Sequence, residues 1–138
     1  MKRKLFTPYV LFLTPGIILR IILAANPEWL WYDESFSVLV ARLPWARLLD
    51  ATAHDVHPPL YYALLKVWLG LWPATVPVEI AARSLSLVLS LAGVWLFHRV
   101  LVRVRIPANE RRTALLLAVY APSLIYHSAE ARMYPRQA

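Results

Sequence analysis

The chain has 138 residues, 59% of them hydrophobic, and a mean hydropathy of +0.50, an apolar share well above that of an ordinary soluble domain. A net charge of +7 would suggest nucleic acid as partner in a soluble protein. Here the basic residues are not interleaved with a stacking platform, so no nucleic-acid partner is expected. The absence of cysteine excludes a disulfide framework, a thiol nucleophile and a thiolate metal site.

Eight of the fifteen Lys and Arg residues fall in Lys2-Arg3-Lys4 and between Arg99 and Arg112, each group beside an apolar run. That is the positive-inside distribution, so the charge reports topology. The first apolar run, 5–25, has roughly the 20 residues that cross a hydrocarbon core about 30 Å thick. It is longer than a signal-peptide core and shows no small-x-small cleavage site before Asn26-Pro27, so it reads as an uncleaved span. Arg20 lies within it, near its outer end, either snorkelling to the headgroups or facing a polar cavity.

The loop that follows, 26–79, carries more acidic than basic residues. Within it, 34–43 reads as an amphipathic helix with Phe36, Leu39, Val40 and Leu43 on one side and Asp33 able to cap its start. Pro44 ends that helix, and 45–53 makes a second short one. His57, ahead of Pro58, is pushed out of helical geometry, and Pro58 and Pro59 suit the first turn of a third helix, 58–72. There Leu60, Leu64, Val67, Trp68 and Leu71 recur at helical spacing, while Tyr62 and Lys66 mark another face, as in an interfacial helix. The run is too short to span, and lying flat it leaves both basic groups on one side.

A second span covers 80–102, a basic inner loop 103–112, a third span 113–127, and a tail 128–138 emerges outside. Arg83 can pair with Glu79 one turn earlier. The expected class is an all-α integral membrane protein: three transmembrane helices, short interfacial helices in a long outer loop, and the N-terminus in the cytoplasm. The stretches around Asp33, His57 and Arg132 then share the extracytoplasmic side of the cell membrane. Tyr61, Tyr62 and Trp68 read as interface anchors or as the lining of a sugar or lipid groove. His54, Asp55 and His57 form a compact set of possible ligands for a divalent metal ion, although a helix-entry turn accounts for them equally well.

Four segments then stand in a particular order: Trp31-Tyr32-Asp33-Glu34-Ser35, His57-Pro58-Pro59-Leu60-Tyr61-Tyr62, Arg83-Ser84-Leu85-Ser86 and Glu130-Ala131-Arg132-Met133-Tyr134. They resemble the N-terminal part of the GT-C membrane glycosyltransferases, in the protein O-mannosyltransferase and aminoarabinose-transferase-like group. The resemblance covers essentially the whole chain but only about the first quarter of a usual member, so the remaining spans of a longer chain are expected as partners. It implies an N-terminal fragment of a GT-C fold that moves a sugar from a polyprenyl-phosphate donor to an acceptor outside the membrane, by an inverting displacement.

An attacking hydroxyl needs a base, and the resemblance assigns that role to Asp33, with Glu34 second. The alternative is that Asp33 caps the helix while Glu34 favours its positive end. Arg132 suits the leaving lipid phosphate, because guanidinium grips phosphate bidentately, or else it binds headgroups at a span end. His57 stands where the aminoarabinose-transferase-like relatives carry a lysine before the Pro-Pro pair. A histidine donates to phosphate with a charge that varies near neutral pH. Because three spans can hardly enclose a long prenyl chain, the isolated 138 residues are expected to be inactive. A non-catalytic three-span scaffold, or an inactive truncated remnant, fits the same residues.

Overall fold

The computed structural model describes residues 6–26, 30–53, 59–128 and 130–131, with side chains described from residue 13 onward. These residues form seven helices and, among the described residues, no strand. The helices are α1 (Phe6–Ala24), α2 (Tyr32–Arg42), α3 (Trp45–Ala53), α4 (Pro59–Leu69), α5 (Val78–Arg103), α6 (Ala108–Tyr120) and α7 (Pro122–His127). His54, Asp55, His57 and Arg132 lie outside the described residues.

α5 is the axis of the structure. It starts after Pro77, carries Glu79 in its first turn and Arg103 in its last, and so places an acid and a base where its dipole favours them. Its 26 residues reach about 39 Å. Val88, Leu89, Trp95, Leu96, Phe97 and Val100 lie exposed along it, an apolar surface that suits lipid better than water. Among the described residues, α5 alone is long and apolar enough to cross a membrane, and the apolar stretch Leu13–Ala24 of α1 is shorter. One helix, not three, meets that standard.

The expected third span, 113–127, is two helices. Pro122 has no N–H to return to the Ala118 carbonyl, so α6 stops at Tyr120 and α7 restarts at Pro122. α6 also begins earlier than expected, at Ala108, which draws Arg111 and Arg112 into the helix and leaves a short connection after α5. That connection closes with Arg105 at φ 62°, while its N–H reaches the Val102 carbonyl at 3.1 Å and that of Ile106 reaches Leu101 at 3.0 Å. This pair of bonds is a Schellman cap, with arginine where glycine is usual.

α1 packs against both α5 and α6. A β-carbon on Gly16 would come within 3.2 Å of the Val119 carbonyl oxygen and closer still to its side chain, so glycine permits the close approach. Arg20 turns its guanidinium onto backbone carbonyls between α1 and α6. It is 1% exposed and donates to the carbonyls of Gly16, Val119 and Ala118, two of them at the end of α6 that Pro122 interrupts.

α2, α3 and α4 pack over the Val78 end of α5 around Val38, Ala41, Leu48, Tyr62, Leu65, Ala82 and Leu85. α2 turns Glu34, Ser37, Val38, Val40 and Ala41 inward and leaves Phe36 and Leu39 exposed, so the expected stripe of Phe36, Leu39, Val40 and Leu43 is split between core and surface. Ser37 and Ala41 on the inner face let α4 approach, Phe36 meets Tyr62 of α4 by its edge, and Leu39 is left for another surface. In α4, which ends at Leu69 and not at 72, Leu60, Leu64 and Val67 of the expected stripe are exposed, as is Leu71 just beyond the helix, whereas Trp68 is half-buried and Tyr61, Tyr62 and Leu65 are buried. Lys66 ends α2, donating to the carbonyls of Ala41 at 3.2 Å and Leu43 at 2.6 Å, where a cation meets the negative end of the helix. Its ammonium lies 5.4 Å from the centre of the Trp45 ring. Trp68 ties α4 to α5 through Nε1–H, which donates to the Ala81 carbonyl at 3.0 Å and the Ser84 hydroxyl at 2.9 Å.

Candidate functional site

Glu34 occupies the third position of α2, where its carboxylate reaches back to the Trp31 amide at 3.0 Å. This is half of a capping box, and it takes the place of the Asp33 cap expected for a helix starting later. The same carboxylate is 1% exposed and meets Arg83 of α5, itself 5% exposed. Arg83 Nε–H donates to Oε1 at 3.1 Å and Nη2–H to Oε2 at 2.9 Å, a bidentate fork. The Ala131 amide donates to Oε1 at 2.8 Å. From its other arm, Arg83 Nη1–H reaches the Asn26 carbonyl at 2.8 Å.

Where helical spacing suggested Glu79 as the partner of Arg83, the guanidinium is therefore forked onto Glu34, 49 positions away in the chain. The ion pair joins the end of α1, the start of α2, the first turns of α5 and the segment after α7. Burial alone would push the Glu34 carboxyl up. The hydrogen bond from Arg83, the Ala131 and Trp31 amides and the Arg83 charge together hold it below its usual range.

Asp33 precedes Glu34 on the same turn but is exposed. Its backbone carbonyl accepts from the Ser37 hydroxyl at 2.9 Å. Successive helical side chains diverge by about 100°, so one carboxylate points into the cluster while the other reaches the surface. Each oxygen of Glu34 accepts two hydrogen bonds, which fills the acceptor capacity of an ionised carboxylate. Glu34 has nothing left for a substrate hydroxyl in this state. Asp33 is the accessible acid.

Tyr61 and Tyr62, expected at an interface or groove, sit instead in the core at 8% and 2% exposure. Tyr62 meets Phe36 and Tyr61 edge-on, at ring-centre distances of 6.3 and 6.0 Å. Burial pushes the Tyr61 hydroxyl up to about 12, and the Glu34 charge adds to the rise. On the far side of the cluster, His127 Nδ1 lies 3.2 Å from Glu130 Oε2, and Glu130 is 7% exposed.

Three of the four segments singled out in the sequence thus supply atoms to a single hydrogen-bonded cluster, through Glu34, Arg83 and Ala131. The fourth lies against it through Tyr61. His57 and Arg132 lie outside the described residues, as do His54 and Asp55, and no group of three or more metal-ligating side chains occurs among the described residues.

Sequence reasoning missed Arg83 as the partner of Glu34, the carbonyl cage around Arg20 and the Lys66 cap. For Arg83 a signal exists: an arginine inside an apolar helix, flanked by Ala81, Ala82, Ser84 and Ser86, is a charge placed to be buried. Set against family models, curated proteins and solved structures, the chain finds no match in any of the three comparisons.

Proposed function

We propose that this chain forms the first part of a membrane glycosyltransferase of the GT-C type, transferring a sugar from a polyprenyl-phosphate donor to an acceptor on the outer face of the cytoplasmic membrane. One observation carries the reading. Three of the four segments that resemble the family, spread over about a hundred residues, are drawn together by the Glu34–Arg83–Ala131 cluster. A scaffold whose polar motifs were interchangeable surface features gives no reason for burying such a pair.

In this reading Asp33 is the general base. It sits on the first turn of α2, held in place by the neighbouring Glu34 anchor, and its carboxylate takes the proton from the acceptor hydroxyl as that oxygen attacks the anomeric carbon. The bond to the lipid phosphate breaks in the same step, and the phosphate leaves as an anion matched by Arg132 and His57. Glu34 positions Asp33 and takes no proton itself, since its acceptor capacity is filled. The three-span arrangement belongs to the same proposal. α1, α5 and α6–α7 run up, down and up, so that Arg83 and Arg103 stand about 30 Å apart along α5, near the thickness of a hydrocarbon core.

The test is Asp33→Asn in a full-length version, scored by sugar transfer from a prenyl-phosphate donor. Loss of a general base lowers the rate by roughly 100-fold or more. Turnover equal to the unmodified protein's removes Asp33 from the base role and favours the scaffold.

A further inference from the structure

Between α1, α5 and α6 lies an open groove of about 500 Å³, lined by apolar side chains including Ile17, Leu91, Trp95 and Leu115, together with Arg20 and His98. Leu91 is close to the midpoint of α5, roughly 20 Å from either end. The groove therefore runs from the middle of the one helix of spanning length towards its Arg103 end, past Val94, Trp95 and His98, and Arg20 stands in its wall.

The charge on Arg20 is only partly answered. Its Nη atoms donate to carbonyls at the end of α6 and to Gly16, and a helix C-terminus offers about half a negative charge. The Nε–H has no partner among the described residues, although Arg20 is 1% exposed. Nη2 spends one donor on a long bond of 3.3 Å to Ala118. The Nε–Nη2 edge is the one that a carboxylate grips bidentately. A guanidinium half-compensated in an apolar groove is costly and calls for an anion.

The sequence narrows where that anion comes from. None of the acidic residues falls within 6–24, 80–103 or 111–127, so none of α1, α5, α6 and α7, here or in a second copy, brings a carboxylate to mid-helix depth. A lipid headgroup belongs at the interface rather than halfway along a spanning helix. We propose that the groove seats a partner transmembrane helix, apolar along its length and carrying one Asp or Glu near its middle, whose carboxylate closes on the Arg20 Nε–Nη2 edge. The inference rests on the membrane reading of α5 and is independent of sugar transfer.

The experiment uses the full chain in phosphatidylcholine vesicles, labelled at Val104→Cys, with energy transfer to synthetic polyleucine transmembrane peptides bearing a central Asp or a central Leu. The Asp peptide associates roughly tenfold more tightly than the Leu peptide, and Arg20→Met brings the two to parity. Arg20→Glu reverses the preference towards a central-Lys peptide, which separates lost charge from lost folding. Equal binding of the Asp and Leu peptides by the inserted chain overturns the proposal, as does a preference that survives Arg20→Met. Abolition of the preference by added phosphatidylglycerol assigns the site to anionic lipid and also overturns it. A chain that does not insert takes down the membrane reading with it, a result distinct from equal peptide binding.

Discussion

Glu34 and Asp33 are adjacent acids with opposite surroundings. Glu34 is a buried anchor, forked by Arg83 and bonded to two amides, and Asp33 is exposed. Removing one partner of a buried pair strands the other charge. Glu34→Gln is therefore expected to destabilise the fold by about 3–5 kcal/mol, whereas Glu34→Leu combined with Arg83→Met costs less than either single change. Unfolding in detergent micelles measures both. Because the folded Glu34 carboxyl is held below its usual value, its contribution is fully present above the ordinary carboxylate range and disappears as pH falls through the depressed value. The melting temperature should drop in acid below about pH 4, and the part due to this pair should be missing from the double variant.

At the level of elements, two local features invite direct tests. Arg105 closes α5 at φ 62°, where an L side chain is strained. Arg105→Gly is expected to raise stability by about 0.5–1 kcal/mol, read from the same unfolding curves. Gly16 allows α1 to touch α6 at Val119. Gly16→Val drives side chain into backbone there and should destabilise by about 1–3 kcal/mol, while Gly93→Ala, where an added β-carbon meets nothing within 4 Å, is neutral or mildly stabilising.

These elements also divide what could be read in advance from what could not. Pro44 marks the boundary between α2 and α3, and the apolar run into Arg103 marks α5, because both signals are local. The inward face of α2 was not legible: periodicity finds an apolar stripe but does not say which of its members meet the core, and Val40 turned inward while Phe36 and Leu39 turned outward. Nor was the break at Pro122 weighed against the apolar run around it. The Glu34–Arg83 pair joins residues 49 positions apart, and helical spacing offered only the nearer Glu79.

For the whole molecule, the layered arrangement sets the two kinds of charge apart. α2, α3 and α4 gather the acidic anchor at the Val78 end of α5, whereas Arg99, Arg103, Arg105, Arg111 and Arg112 lie towards its other end. The transferase reading needs those ends on opposite faces of a membrane, with the acid-bearing face outside. The natural chain has no cysteine, so single introduced cysteines report sidedness without background. Ala46→Cys on α3 and Val104→Cys after α5, both at exposed positions, should behave differently in intact cells towards a membrane-impermeant maleimide. Ala46→Cys should label at once and Val104→Cys only after permeabilisation; labelling of Val104→Cys from outside, or protection of Ala46→Cys, would contradict the account.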